Sequence, residues 1–321
     1  SPAAEDGSVM TVGGDAPPHI LVIKLAALGD FVQALGPCAA IRRYHKDARI
    51  TLLTTAPFED LARQSGYFDE VWLDTRPKLW QPSRWMALRR KLKSGAFERV
   101  YDLQTSDRSG FYFKLLAPGP KPEWSGIAKG CSHPHANPKR DFMHTYERQA
   151  EQLAMAGILD VPRPDLSWVT ADITAFDLAG NYALLVPGGA AHRPEKRWPA
   201  EAYGALAARL ADKGIQPILL GTSGERAVLD EIMALCPGVK NLADQTDFGQ
   251  IVALAWNAQF CVGNDTGPMH LIAVAGCRST VLYSAASDPA LCAQRGQDVR
   301  ILRRDRLSEL SVEEVLADDA S

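Results

Sequence analysis

The sequence predicts an α/β protein with two doubly wound, Rossmann-like domains that face a central cleft. Two observations favour this fold class. Continuous apolar runs typical of buried strands alternate with helix-like segments along most of the chain, as in parallel sheets covered by helices on both faces. This alternation starts twice, at Ile20 and at Tyr182, and the two series are of similar size. Ligands of such folds bind beyond the carboxyl ends of the strands, so we expect the site between the two halves.

In the first half, strand-like and helix-like segments follow one another without interruption up to residue 116. The expected strands are short apolar runs at residues 20–25, 50–54, 71–73 and 100–103. The expected helices are at residues 31–45, 58–65, 85–93, 110–116 and 142–156. Residues 117–140 are rich in Pro, Gly and His, and we expect them to form one long loop.

The second half repeats the alternation after a Pro-containing interruption at residues 161–170, which we interpret as the joint between domains. The expected strands are residues 182–187, 217–220, 260–262 and 280–283. The expected helices are residues 200–213, 225–235, 248–256 and 269–275. We therefore predict domains at residues 19–165 and 175–321, preceded by a polar, flexible tail at residues 1–18.

The composition argues against several classes of protein. The 321-residue chain has 46% hydrophobic and 23% charged residues, as is normal for a globular protein. Its net charge of −3 gives no support to a nucleic-acid partner. No apolar run approaches the roughly 18 residues of a membrane-spanning helix, and the tail lacks the basic start and apolar centre of a secretory signal. The six scattered cysteines form no Cys-x-x-Cys pair, so we expect free thiols and a cytoplasmic location.

The most informative segment is Gly-Asn-Asp-Thr-Gly-Pro-Met-His, from Gly263 to His270. Apolar runs on both sides predict a strand, a turn and a helix. Asp265 or Thr266 suits the N-cap of that helix, and Pro268 suits its first turn. A helix start attracts phosphate because its backbone N–H groups are unpaired and carry a partial positive charge. We expect His270, one turn inside, to face the same ligand, although an ordinary capped helix has the same pattern.

Two further segments carry residues with chemical potential. Asp30 follows the first strand and Gly29 and opens a helix, so its carboxylate is expected in the crevice above the sheet. A role as the N-cap or a first-turn residue of that helix explains the same residue equally well. Lys196 lies in the loop after the first strand of the second half, where Gly188 and Gly189 allow close backbone approach. Glycines and a mobile cation together suit a diphosphate, whereas the ordinary interpretation is a solvated surface loop.

In their order and separation, these segments resemble glycosyltransferase family 9, the lipopolysaccharide heptosyltransferases. The resemblance is carried by residues 20–30, by the Lys-Arg-Trp-Pro of residues 196–199 and by residues 263–270. It extends from about residue 19 to the end of the chain and implies the two-domain GT-B architecture, with an acceptor-binding first domain and a donor-binding second domain. Smaller matches are Asp102-Leu103-Gln104, Arg108-Ser109, His144 with Glu147-Arg148, Gly224-Glu225-Arg226 and Ser311 to Leu316.

The resemblance implies an inverting transferase that moves a heptose from ADP-heptose to an inner-core sugar of a lipid-linked acceptor. Asp30 would be the general base that takes a proton from the acceptor hydroxyl. Lys196 would contact the donor phosphate, and Glu225 would hold the ribose. The amides of Thr266 and Gly267, with Lys196, would stabilise the departing diphosphate. The resemblance also places Asp265 and His270 in the donor site, and Gly29, Gln104 and Arg108 in the acceptor site.

The chain departs from the family pattern beside the Gly-Asp turn. Ala26 and Ala27 stand where hydroxyl residues are common, which implies the loss of a hydrogen bond to the acceptor and leaves the acceptor open. A basic cluster in the first half has three interpretations: a solvated helix face, a rim for an anionic acceptor, or contact with the inner-membrane surface through the nearby Trp80 and Trp85. The cluster consists of Arg84, Arg89, Arg90, Lys91 and Lys93.

Metal and cofactor chemistry has little support in the sequence. No Asp-x-Asp motif occurs, so we predict no obligatory metal-ligand set and no cofactor. Two other functions stay open. A non-catalytic nucleotide-sugar-binding protein is disfavoured by the retention of both Asp30 and Lys196. A nicotinamide-dependent oxidoreductase shares the doubly wound fold, but Gly-x-Gly-x-x-Gly is missing after both leading strands.

Overall fold

The computed structural model of the chain describes residues 16–189 and 193–317. All but the last three residues of the predicted tail, 1–18, lie outside these ranges, as does the end of the second predicted domain from residue 318. Two parallel, six-stranded sheets organise the described residues. No helix in the described ranges is both long and apolar enough to cross a membrane.

The first sheet contains strands β1 (His19–Ile23), β2 (Arg49–Thr54), β3 (Glu70–Leu73), β4 (Arg99–Asp102), β5 (Glu123–Gly126) and β6 (His133–Pro134). Their order is β3-β2-β1-β4-β5-β6, and neighbouring strands are parallel. This is the Rossmann order, in which the winding direction reverses between β1 and β4. Ile23 pairs with Leu53 on one side and Asp102 on the other, so the carboxyl ends of these strands lie at one edge.

Helices cover both faces of this sheet because successive side chains of each strand point in opposite directions. The helices are α1 (Leu28–Gln33), α2 (Leu35–Tyr44), α3 (Glu59–Ser65), α4 (Pro82–Ser94), α5 (Asp107–Leu115) and α6 (Thr145–Ala154). Ile20 and Val22 of β1 belong to the core cluster that includes α1, α2, α3 and α6. Leu21 and Ile23 belong to the opposite cluster, with α4 and α5.

The second sheet repeats the same topology. Its strands are β7 (Tyr182–Val186), β8 (Gln216–Leu219), β9 (Lys240–Asn241), β10 (Cys261–Asn264), β11 (Ser279–Tyr283) and β12 (Val299–Arg303), in the order β12-β11-β10-β7-β8-β9. Its helices are α7 (Ala200–Asp212), α8 (Arg226–Leu235), α9 (Phe248–Asn257), α10 (Gly267–Val274), α11 (Pro289–Cys292) and α12 (Val312–Leu316). The winding reverses between β7 and β10, which confirms the prediction of two doubly wound, Rossmann-like domains.

Several element predictions need correction. The segment at residues 31–45 is not one helix, because α1 and α2 meet at Ala34, which caps both. Residues 117–140 are not one loop, since they contain the short strands β5 and β6 at the far side of the first sheet. Four further elements were not predicted, namely strands β9 and β12 and helices α11 and α12. Helix α12 lies within the Ser311 to Leu316 motif of the family resemblance.

The two domains meet through helices that begin at the two reversal points. Helix α1 packs against α10, and this contact requires glycine on both sides. A Cβ atom on Gly29 would lie 2.6 Å from Cδ2 of His270, and one on Gly267 would lie 2.9 Å from Cβ of Leu28. Side chains of both domains therefore form one continuous buried cluster.

Candidate functional site

The loops that follow β1, β4, β7 and β10 converge where α1 faces α10. Each loop leaves the carboxyl end of a strand next to a reversal point, where open α/β sheets bind their ligands. The first domain contributes Asp30 and the second contributes Asp265 and Lys196. Burial chiefly raises the pKa of the Cys292 thiol, and the charges of Asp265, Asp30 and Lys196 also act on it. The three predicted side chains therefore lie close enough to the Cys292 thiol for their charges to act on its pKa.

Asp30 is the third residue of α1 and is half-buried. The backbone N–H of Ala27, the N-cap residue, donates to Oδ2 of Asp30 at 3.3 Å. The carboxylate also lines a polar cavity of about 220 Å³. Asp30 therefore stabilises the start of the helix and also lines the cavity, so the structural and the functional interpretations are compatible.

The cavity beside Asp30 is lined by three cationic side chains, Lys24, Arg140 and Arg148. Lys24 is 4% exposed, and its Nζ donates to the Leu103 carbonyl at 3.3 Å. Burial lowers the pKa of Lys24, while the nearby carboxylates of Asp30 and Asp102 oppose this shift. Nη2 of Arg140 is buried without a hydrogen-bond partner among the described residues. This cluster suits an anionic group of a ligand, since it offers a donor that the protein leaves unused.

Gln104 and Arg108, both predicted acceptor residues, occupy different places. Gln104 lines the cavity, and its Oε1 accepts the backbone N–H groups of Leu25 and Ala26 at 2.9 and 3.3 Å. Gln104 therefore fixes the loop that leads to Asp30. Arg108 donates to the Pro77 carbonyl at 3.1 Å and does not line this cavity.

The N-terminus of α10 has the predicted form, and of the two predicted N-cap residues Thr266 occupies that position. Thr266 is the N-cap residue, makes no side-chain cap hydrogen bond, and keeps its Oγ1 buried without a partner among the described residues. Asp265 does not cap the helix. Its Oδ1 instead accepts from Nε2 of Gln294 at 2.9 Å and lies 3.1 Å from the Tyr283 hydroxyl. The Thr266 hydroxyl and the Gly267 N–H at this helix start thus remain suited to an anionic ligand.

His270 lies inside this helix start and is neutral near pH 7. Its ring is buried against Gly29, and burial lowers its pKa to about 4, against the opposing charges of Asp265 and Asp30. Its Nδ1 has no hydrogen-bond partner among the described residues. His270 can therefore act on a ligand as a neutral donor or acceptor and not as a cation.

Glu225 lies under the loop that follows β7. A Cβ atom on Gly188 would lie 2.2 Å from the Glu225 carboxyl carbon, so a side chain at this position would displace that carboxylate. Burial raises the pKa of Glu225, and the charge of Arg197 opposes this shift. The carboxylate thus lies at the carboxyl ends of β7 and β8, on the second-domain side of the cleft.

Sequence reasoning missed the residue that ties the second-domain loops together, Asn264. This side chain is fully buried at the end of β10. Its Nδ2 donates to the carbonyls of Pro187 and Gly188 at 2.9 and 3.1 Å. Its Oδ1 accepts the Trp198 N–H at 3.0 Å and the Tyr203 hydroxyl at 2.9 Å. Asn264 thereby links the glycine loop, the Lys196 loop and the start of α10. Its position directly before Asp265 is the feature of the sequence that could have indicated this role.

The family model described as glycosyltransferase family 9 (heptosyltransferase) matches residues 85–313. The chain belongs to glycosyltransferase family 9. Lipopolysaccharide heptosyltransferase 2 of Escherichia coli is 32% identical over 120 residues, which are 36% of this chain and 34% of that protein. The chain thus matches about a third of the length of this relative. The lipopolysaccharide core heptosyltransferase OpsX of Haemophilus influenzae is 22% identical over 84% of this chain and 80% of its own length.

Solved structures agree with this family 9 assignment at the level of the fold. E. coli ADP-heptose lipopolysaccharide heptosyltransferase II superposes with a TM-score of 0.76 at 22% identity, covering 94% of this chain and 97% of the other. A family 9 glycosyl transferase from Veillonella parvula gives 0.80 at 18% identity, covering 94% and 96%. E. coli heptosyltransferase WaaC with ADP gives 0.73 at 20% identity, covering 94% and 98%. The predicted GT-B architecture is confirmed.

Proposed function

We propose that this family 9 protein is an inverting heptosyltransferase. Its donor would be ADP-heptose, and its acceptor an inner-core sugar of a lipid-linked lipopolysaccharide precursor. The observation that carries the proposal is the position of Asp30, between a cationic cavity in the first domain and the start of α10 in the second. A lipid-linked acceptor further suggests that the protein works at the cytoplasmic face of the inner membrane.

The donor side of the cleft suits a nucleoside diphosphate. The start of α10 offers backbone N–H groups and a partial positive charge, and Lys196 adds a mobile cation. Gly188 permits the donor to approach the backbone closely above Glu225. We assign Glu225 to binding of the ribose hydroxyls. Fold similarity to WaaC, solved with ADP and with ADP-2-deoxy-2-fluoro heptose, supports this choice of donor.

The acceptor side suits an anionic sugar. Lys24, Arg140 and Arg148 line the cavity that Asp30 reaches, and Nη2 of Arg140 is buried without a partner among the described residues, so a ligand carboxylate would supply the missing acceptor. Carboxylate-bearing sugars match this chemistry. We therefore propose that the acceptor places a carboxylate in the cavity and a hydroxyl next to Asp30.

The reaction would be a single displacement. The acceptor hydroxyl oxygen attacks the anomeric carbon of the heptose while its proton passes to the Asp30 carboxylate. The bond between that carbon and the β-phosphate oxygen breaks, and ADP leaves with the bonding electron pair. Lys196 and the N–H groups of Thr266 and Gly267 stabilise the negative charge that develops on the diphosphate. Inversion follows because attack and departure occur on opposite faces of the sugar.

A ligand screen followed by an acceptor assay tests the proposal. Calorimetry across nucleotide sugars and nicotinamide dinucleotides should show selective binding of ADP-heptose. Transfer to a Kdo-terminated lipid A acceptor should then yield a heptosylated product of inverted configuration by mass spectrometry and NMR. Donor binding without transfer to any core acceptor would favour the non-catalytic binding protein, and preference for a nicotinamide dinucleotide would favour an oxidoreductase.

Replacing Lys196 with alanine should weaken ADP binding by about 1.5–3 kcal/mol, the scale of a charge-assisted hydrogen bond. Isothermal titration calorimetry measures this change directly. Lys213→Ala is the matched control. Lys213 is exposed at the end of α7, just before β8 begins, and therefore lies at the edge of the sheet opposite the cleft. Equal ADP affinity in all three proteins would remove Lys196 from the donor site.

Transfer should survive removal of divalent metal. The expected charge stabilisation comes from Lys196 and from the start of α10, and no Asp-x-Asp motif supplies metal ligands. Initial rates measured after exhaustive treatment with EDTA should match those of the untreated protein. Complete loss of transfer, restored by Mg²⁺ or Mn²⁺, would contradict this prediction.

A further inference from the structure

We propose that the loop at residues 76–81, together with the exposed side of α4, docks the protein onto an anionic lipid bilayer. This docking surface rests on the proposed function for its purpose, since a lipid-linked acceptor must be reached at a membrane. Its physical basis is independent of the reaction. It consists of an apolar tip, a dense set of cations and a position at the cleft edge of the first sheet.

The apolar tip is formed by two neighbouring side chains. Leu79 is 91% exposed and Trp80 is 74% exposed, directly before α4 begins. Met86 on the first turns of α4 and Phe111 on α5 are also exposed. Single exposed apolar side chains are common, but neighbouring ones that form a patch are typical of a site of interaction, and tryptophan favours the boundary between lipid and water.

The loop holds this tip in a fixed orientation. Trp85 is half-buried, packs edge-on against Phe111 at 5.1 Å, and donates its Nε1–H to the Lys78 carbonyl at 2.9 Å. The Lys78 N–H donates to Oε1 of Gln81, and the Gln81 N–H donates back to the Lys78 carbonyl, both at 2.9 Å. Arg108 secures the same loop from α5. Leu79 and Trp80 therefore project from an anchored turn.

The charge along the loop and α4 is of one sign. Residues 75–97 contain seven lysines and arginines and no aspartate or glutamate, although the whole chain carries a net charge of −3. An anionic lipid surface attracts such a cluster, and the attraction weakens as salt screens it. The apolar side chains beside these cations favour a bilayer as the partner, because they can enter lipid and would gain nothing from a purely polar polyanion. The exposed cations are Arg76, Lys78, Arg84, Arg90, Lys91 and Lys93.

The position of the docking surface fits a lipid-linked acceptor. The loop follows the carboxyl end of β3, so it lies at the same sheet edge as Asp30 and Gln104. The reversal point between β1 and β4 is two to three strands away, or about 10–14 Å at the usual spacing of strands. A membrane at the tip would thus face the acceptor side of the cleft, with the second domain farther away.

Vesicle co-sedimentation of the full chain tests the docking surface. We expect binding to phosphatidylcholine vesicles that contain phosphatidylglycerol, little binding to phosphatidylcholine alone, and release as salt rises. The double variant Leu79→Ser/Trp80→Ser and the variant Arg84→Glu/Arg90→Glu should each reduce binding about ten-fold or more. Leu159→Ser is the matched control, because Leu159 is 84% exposed beside Asp160, which contacts Arg43 near the end of α2.

Two outcomes would overturn the docking surface. One is failure of the unmodified chain to bind the anionic vesicles. The other is undiminished vesicle binding by Leu79→Ser/Trp80→Ser, which would show that the apolar tip does not enter the bilayer. The proposed function is judged separately, by transfer to a water-soluble acceptor fragment. The double variant should retain that transfer and lose transfer to acceptor in vesicles, whereas absence of all transfer with normal vesicle binding would reject only the proposed function.

Discussion

Replacing Asp30 with asparagine is expected to lower turnover about 10²–10⁴-fold, the usual contribution of a general base. Asparagine keeps the size of the side chain and can still accept the Ala27 N–H, but it cannot take a proton from the acceptor hydroxyl. Donor affinity should stay nearly constant, since the diphosphate is assigned to the second domain. Steady-state transfer rates and ADP calorimetry on the same preparation measure both quantities.

A second helix-start aspartate supplies the control for Asp30. Asp60 lies in the first turn of α3 and is exposed, so Asp60→Asn changes the same chemical group in a comparable local setting without touching the cleft. Both variants should unfold near the temperature of the unmodified protein, because asparagine also suits helix starts. An Asp30→Asn protein that folds, binds ADP and transfers sugar at a near-normal rate would show that Asp30 is only structural.

Replacing Asn264 with alanine is expected to reduce the free energy of unfolding by about 3–5 kcal/mol. The change removes four hydrogen bonds and leaves two carbonyls, one backbone N–H and the Tyr203 hydroxyl without this partner in a buried region. Each such unpaired group costs about 1–3 kcal/mol, reduced where water enters the space. Urea unfolding followed by circular dichroism measures the loss. ADP affinity should also fall, because Asn264 fixes the Lys196 loop relative to α10.

The matched change for Asn264 is Asn257→Ala. Asn257 is exposed at the end of α9, and its Nδ2 makes one long hydrogen bond, 3.3 Å, to the Ala253 carbonyl. Exposed substitutions of this kind usually change stability by no more than about 0.5 kcal/mol. If Asn264→Ala were as stable as Asn257→Ala, the three loops would be held in place by other contacts.

The fold was predictable where strands are long and apolar. Residues 20–23 and 182–186 are buried throughout, so continuous apolar runs located the leading strand of each domain. Strand β9 has only two residues, and β12 is partly or fully exposed at every position and contains two arginines, so neither has a strong pattern. The break at Ala34 was hidden because alanine is a good helix former, and only the packed structure reveals the change of helix.

The site was predictable in its parts but not in its connections. Asp30 follows a strand of the first sheet, and Lys196 and Asp265 follow strands of the second, so a location between the two sheets could be inferred from the topology. The contact from Gln294 to Asp265 spans 29 residues and depends on how α11 and its following loop pack. Lys24 interrupts the apolar run of the first strand, and nothing in the sequence indicates that it lines a cavity. Its place in the cavity became visible once β1 and β4 were side by side.

The glycine-mediated contact between α1 and α10 would be the pivot of any rotation of one domain against the other. If one domain swings on the other while this contact persists, atoms move in proportion to their distance from it. The outer rims of the cleft then separate widely, while the carboxylate of Asp30 and the start of α10 stay almost in place. Such a movement would let substrates enter and leave through a large opening of the periphery, with little change in the spacing of the groups nearest the pivot.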